Sequence, residues 1–198
     1  MTTITILLTA ACAASGPACG MLEKLESASL LSADFSQSDY WALTRETESS
    51  SGRLLLARDG RFLLDYADPE GRRMGFDGSV VYTVDPLYMQ VLLDPSSEPA
   101  SFTALLESAG DPGLATASRI SGDTVFVDLE GEIGQGISRM SFAYLISDSL
   151  PRVLSTYDGN GNRSTWTLRS VSVAGGDPGS SFEMVVPGGY EVLRAGDL

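Results

Sequence analysis

Apolar and polar residues alternate with a period of two along much of this chain, most densely between residues 52 and 93. Leu54-Leu55-Leu56-Ala57, Phe62-Leu63-Leu64-Asp65-Tyr66, Met74-Gly75-Phe76, Val80-Val81-Tyr82-Thr83-Val84 and Met89-Gln90-Val91-Leu92-Leu93 have strand character. Asp59-Gly60, Asp68-Pro69-Glu70-Gly71, Asp77-Gly78 and Asp85-Pro86 stand between them. Asp-Gly between apolar alternating runs marks a hairpin, because the turn demands φ > 0 and glycine takes it without steric cost. Strands joined by such short connections pair antiparallel, so this segment predicts a meander. The alternation places Phe62, Leu64 and Tyr66, then Met74 and Phe76, then Val80, Tyr82 and Val84 on one large, partly aromatic face. Leu54, Leu56 and Arg58 alternate in the same way toward one face. A face of that kind needs a cover.

Helical spacing occurs in two places. Residues 21–31 carry Leu22, Leu25, Ala28 and Leu30 on one side and Glu23, Lys24, Glu26 and Ser27 on the rest, which predicts a short amphipathic helix. Phe102, Leu105, Leu106 and Ala109 predict a second, stopped by Gly110-Asp111-Pro112-Gly113, with a further helical turn over 114–120. Helices this short are marginal alone and must dock their apolar sides; the meander face is the natural place, and the result is a lid over a cavity. A first long strand is expected over 39–45, with 49–52 (Ser-Ser-Ser-Gly) as the turn that closes it. Strands are expected again over 124–130, 137–146, 153–157 and 164–173. Met140, Phe142, Tyr144 and Ile146 share a face, whereas Val171 and Val173 fall out of phase with Trp166 and Leu168, which predicts a bulge near Arg169-Ser170. The expected fold is mainly β (α+β): a strongly curved antiparallel sheet, an unclosed half-barrel covered by short helices.

The chain has 198 residues, enough for one domain with its own core. Its formal net charge of −13 makes nucleic acid and anionic membrane surfaces poor partners. The charge serves solubility, or repels anionic lipid headgroups. Residues 1–19 differ in composition: Ile4-Thr5-Ile6-Leu7-Leu8 is apolar, small residues follow to Cys19, and no Lys or Arg precedes Lys24. That reads as a signal peptide lacking a positive n-region, with the mature chain starting between Ala13 and Met21 and the domain spanning 20–198. The rival reading is a lipidated Cys12, although its leucine stands one place too far away. Two cysteines build no disulfide framework or thiolate metal site.

The chain has no histidine, which removes Ser-His and Cys-His dyads and histidine metal sites together. No phosphate-cradling Gly-x-x-x-x-Gly-Lys run occurs. Asp158-Gly159-Asn160-Gly161-Asn162 begins like a calcium loop, but Arg163 and Arg169 occupy the positions that need Gly and Glu, so a hairpin turn is expected. No enzyme, metal or cofactor is expected.

Several short motifs carry a resemblance. Asp77-Gly78, Tyr82, Asp85-Pro86 and Gln90-Val91 stand in order, preceded by Ala33-Asp34-Phe35-Ser36-Gln37 and followed by the segment from Phe182 through Pro187-Gly188-Gly189 to Val192. Together, over roughly 21–193, they resemble the periplasmic outer-membrane lipoprotein carrier family LolA. Arg58 falls where that family places a basic residue before a turn, although Asp59 replaces the Pro that usually follows. The resemblance implies a monomeric periplasmic chaperone carrying lipoproteins from the inner to the outer membrane. Its expected partners are lipoprotein acyl chains, an inner-membrane lipoprotein-releasing transporter and an outer-membrane acceptor. The acyl chains would lie against Leu54, Leu56, Phe62, Leu64, Tyr66, Met74, Phe76, Tyr82 and Val84. Arg58 would be the lid latch, hydrogen-bonded to the covering helices and loops. The same fold also admits an anchored lipoprotein receptor, a glycolipid carrier or a lipid-sensing domain.

Overall fold

The computed structural model describes residues 19–95, 115–134, 136–176 and 179–196. Residues 1–18 of the expected signal peptide and the expected helix over 102–109 lie outside them, while Cys19, the last residue of that expected peptide, opens the first helix. Helix α1, Cys19–Glu26, is followed by β1 (Leu30–Trp41), β2 (Glu46–Ala57), β3 (Phe62–Asp68), β4 (Arg73–Phe76), β5 (Val81–Asp85) and β6 (Gln90–Asp94). Then come β7 (Ala115–Ser121), β8 (Thr124–Gly134), β9 (Ile137–Leu145), β10 (Pro151–Asp158), β11 (Arg163–Ala174), a 3-10 turn Gly179–Phe182, and β12 (Glu191–Arg194).

The twelve strands of the described residues form one sheet, ordered β12-β6-β5-β4-β3-β2-β1-β11-β10-β9-β8-β7. Every pairing is antiparallel except β12, which returns along β6 in parallel. β1 unites the two meanders by pairing with β2 on one side and β11 on the other. β7 and β12 end the sheet without meeting, so it is a curved, unclosed half-barrel.

Pairing decides which side chains share a face. In one direction, Leu31, Leu56, Phe62, Phe76 and Val81 stand opposite one another in successive strands. Ala33, Leu54, Leu64, Met74 and Thr83 form the next row. In the other direction, Trp166 pairs Leu154, Leu154 pairs Phe142, and Phe142 pairs Val127. These rows make one continuous apolar surface, called here the inner face because α1 packs on it. Met21 and Leu22 of α1 are buried against Val127, Leu129, Met140 and Phe142, while Leu25 reaches both halves of the surface.

The bulge expected near Arg169-Ser170 is present. Between Asp34 and Ser32 β1 advances two residues while β11 advances three, from Arg169 to Ser172, and Ser170 takes φ 50°. The extra residue resets the phase, so Val171 and Val173 pack with Leu168 after all. The expected hairpin turn after β10 is also there: Asp158 Oδ1 accepts from the backbone N–H of Asn160 and Asn162.

Three expectations about local structure fail. Residues 49–51 are not a turn but the middle of β2, where Ser49, Ser50 and Ser51 pair with Ser38, Gln37 and Ser36. The turn is at 42–45, with Arg45 at φ 61° and Ala42 N–H donating to Asn162 Oδ1. The first strand accordingly runs over Leu30–Trp41 rather than 39–45. Residues 115–121 form strand β7 rather than a helical turn, because β8 offers them an edge to pair with over its length.

The largest correction concerns Val80, Tyr82 and Val84. Four residues, 77–80, join β4 to β5, and Phe76 pairs with Val81. An even number of loop residues puts odd-numbered Val81 and Thr83 on the face of Phe76. Tyr82 and Val84 therefore point to the outer face, where they form a separate cluster with Val91 and Leu93, packed against Val80, Leu63, Met184 and Tyr190.

Candidate functional site

The inner face holds seven of the nine expected binding side chains: Leu54, Leu56, Phe62, Leu64, Tyr66, Met74 and Phe76 belong to one cluster. Leu31, Ala33, Phe35 and Leu168 are buried in the same cluster but are absent from the sequence-based expectation. The alternation of Leu31, Ala33 and Phe35 was the available signal, but residues 21–31 read as helix and obscured it. Trp166 packs against this cluster and also against that of β8–β10, so it bridges the two halves of the face.

An aromatic group marks where the apolar surface stops. Phe35 meets Tyr66 edge to face at 5.3 Å and Trp166 at 5.1 Å. Gly52 lies opposite both Phe35 and Tyr66. A Cβ there would come within 2.2 Å of the Asp65 carbonyl oxygen, so only glycine fits at this close approach of β2 and β3. Beyond the rings the inner face becomes polar. Gln37 Nε2 donates to both carboxylate oxygens of Asp39 at 3.0 and 2.8 Å, and Ser164 Oγ donates to Asp39 Oδ1 at 2.5 Å. Ser50 Oγ donates to Gln37 Oε1 at 3.5 Å. Arg72 places its guanidinium carbon 5.2 Å from the Tyr66 ring centroid. Burial pushes the Tyr66 phenol above its ordinary range; the Arg72 charge opposes this and the Asp39 charge adds to it.

Arg58 is exposed just beyond β2. Its backbone N–H donates to the Ser29 carbonyl, and its guanidinium has no partner among the described residues. The arginine that ties segments together here is Arg61. It forms an ion pair with Asp59 at 2.8 Å, donates to the Gly179 carbonyl, and stands over the Phe182 ring with 5.2 Å to its centroid. The side-chain hydrogen bond from Arg61 holds the Asp59 carboxyl below the usual range. Phe182 is buried, and its carbonyl accepts from the Tyr82 hydroxyl at 3.3 Å. The C-terminal segment is thus strapped over the outer face of β3–β6. Tyr82 serves that strap.

The outer face of β1, β2 and β11 is hydroxyl-rich. An open groove of about 360 Å³ there is lined by Ser36, Ser38, Ser51, Asp68, Thr165 and Thr167 among others. Among the described residues no helix is long and apolar enough to cross a membrane, and no group of His, Cys, Asp and Glu is placed to hold a metal ion.

The chain is similar to known proteins in sequence and in fold. The family model of the outer membrane lipoprotein carrier protein LolA matches residues 26–183. An outer-membrane lipoprotein carrier protein of Chromohalobacter salexigens is 28% identical over 199 residues, covering 98% of this chain and 94% of its own. An uncharacterized conserved protein from Thermus thermophilus superposes with a TM-score of 0.59 at 14% identity, over 91% of this chain and all of its own, a likeness of fold. The LolA superfamily protein NE2245 from Nitrosomonas europaea gives a TM-score of 0.42 at 12% identity, over 84% of this chain and 97% of its own. The chain belongs to the LolA family of outer-membrane lipoprotein carrier proteins.

Proposed function

We propose that this protein is a monomeric periplasmic chaperone that receives lipoproteins from a releasing transporter of the inner membrane. It holds their acyl chains against the inner face and gives them to an acceptor at the outer membrane. The observation that carries this reading is the continuous apolar surface of Leu31, Leu54, Leu56, Phe62, Leu64 and their neighbours, set beneath a helix of only eight residues. Nothing in it suggests chemistry; it is built to bind.

Magnitudes favour cargo over cover. Each buried methylene contributes about 0.8 kcal/mol, so a chain of ~16 carbons gains roughly 13 kcal/mol on leaving water. A short helix such as α1 is marginal alone and is held mostly by its tertiary contacts. An Arg58 latch would add hydrogen bonds of about 1.5–3 kcal/mol each. Its exposed guanidinium is available to a covering segment, and the latch remains part of this proposal. Cargo can therefore displace the cover without unfolding the sheet. Residues 1–19 act in this reading as the export signal.

Purification without detergent followed by mass spectrometry tests the carrier role. Co-purified lipoprotein or acylated lipid is the expected result; a lipid-free protein that also refuses added lipopeptide would refute it.

A further inference from the structure

The carrier reading leaves open which way round an acylated ligand lies, and the inner face decides this. Along β1 its residues run Leu31, Ala33, Phe35 and then Gln37 and Asp39. Along β2 they run Leu56, Leu54, Gly52 and then Ser50 and Glu48; along β11, Leu168, Trp166 and then Ser164. The change from apolar to polar falls at the same row in β1 and β2, after Phe35 and Gly52, and one row later in β11, where Trp166 stands opposite Gln37; the rings of Phe35, Tyr66 and Trp166 mark this boundary.

Tyr66 is the anomaly at that level. It is 92% buried, since 8% remains exposed, yet its hydroxyl has no hydrogen-bond partner among the described residues. Its neighbours are otherwise matched: Gln37, Asp39, Ser50 and Ser164 satisfy one another. Buried hydroxyls without partners are rare in native proteins and call for a reason. Arg72 meets the face of the ring, not its oxygen.

We propose, resting on the carrier reading, that the Tyr66 hydroxyl donates to the ester or amide carbonyl at the head of the acyl chain. The polar remainder of the ligand then lies over Gln37, Asp39 and Ser164, and the tails run toward Leu31, Leu56 and Phe62. A phenol O–H is a donor that an alkyl chain cannot satisfy and a carbonyl can. Tyr66 is thus a specificity residue, reading the linkage while the apolar rows hold the chain.

The test compares two lipids of one chain length, monopalmitoylglycerol with its ester carbonyl and 1-O-hexadecylglycerol with an ether in its place. Affinities are measured by displacement of a fluorescent apolar dye from the full chain, wild type and Tyr66→Phe. Tyr66→Phe keeps the ring on Phe35, and circular dichroism with dye binding checks that the variant is folded. Wild type is expected to prefer the ester severalfold to about tenfold, the reach of one hydrogen bond. Tyr66→Phe should lose that preference, its ester and ether affinities becoming equal. Equal wild-type affinities, or a preference surviving in Tyr66→Phe, would overturn the assignment alone. Failure of wild type to bind either lipid would overturn the carrier reading and this assignment with it. A lipopeptide carrying a single palmitoyl chain is the third competitor. If it binds more tightly than the glyceride, the carbonyl belongs to a lipoprotein; if less tightly, to a free acylglycerol; loss of affinity in Tyr66→Phe supports the role of Tyr66 in both cases.

Discussion

Phe35 on β1 and Tyr66 on β3 touch edge to face at 5.3 Å although β2 lies between their strands. They meet over Gly52, which pairs with both. The contact closes the apolar part of the inner face at one end and depends on a glycine whose missing side chain is filled by its neighbours.

Gly52→Ala should therefore destabilise the fold. A methyl 2.2 Å from the Asp65 carbonyl oxygen and 2.8 Å from Tyr66 Cα forces β2 and β3 apart. Overpacking of this kind costs about 1–3 kcal/mol, more than the roughly 0.4–1 kcal/mol that alanine returns through the unfolded chain. Urea denaturation should show a lower midpoint with an unchanged slope.

Met21 is fully buried under the inner face cluster of β8–β10. Met21→Ala should cost about 2–5 kcal/mol by leaving a cavity there, and hydrogen exchange should show α1 loosening before the strands. Uniform loosening would mean that α1 is not a separable cover.

Tyr82→Phe distinguishes the two faces. It removes the hydroxyl that donates to Phe182, worth about 0.5–1.5 kcal/mol. Exchange protection in residues 179–190 should fall while uptake of an acyl probe stays at the wild-type level. Altered uptake would return Tyr82 to the binding surface.

The facing of Tyr82 and Val84 separates what is legible in the sequence from what is not. Most strands, the Asp158 hairpin and the Ser170 bulge are legible because period-two alternation and turn residues are local signals, whereas strand 115–121 reads as a helical turn. Facing is a matter of loop parity: a strand that begins at Val80 implies a three-residue loop and puts Tyr82 and Val84 beside Phe76, whereas the four-residue loop 77–80 pairs Phe76 with Val81 and reverses them. Asp77 Oδ1 accepts from Ser79 N–H and Val80 N–H, which stabilises the four-residue form. Ser49, Ser50 and Ser51 read as a linker because serine favours turns, yet the cross-strand register overrides propensity. The side chains of Phe35, Leu168 and Trp166 reach the site through the β1–β11 pairing, whose partners lie more than a hundred residues apart and leave no local trace. Arg61 likewise owes its role to the C-terminal segment folding back over the outer face.

That strap carries a pH dependence. Asp59 has its pKa lowered by the Arg61 hydrogen bond below the model-peptide value of 3.8. A depressed carboxylate stabilises the folded state above its unfolded pKa and loses that contribution as pH falls through the folded pKa. Between neutrality and pH 4 the strap should be unchanged; below about 3.8, exchange at 179–182 should rise. Asp59→Asn should show the loosened strap at every pH and no such step.

The claim that acyl chains lie on the inner face is tested most directly by photo-crosslinking. Benzoylphenylalanine replaces Phe62 on the inner face in one variant and Phe182 on the outer face in another, and each is loaded with a triacylated lipopeptide and irradiated. The account predicts an acyl adduct, located by mass spectrometry, at position 62 and none at 182. Labelling at 182 alone, or at neither position in protein shown to hold the lipopeptide, would contradict it.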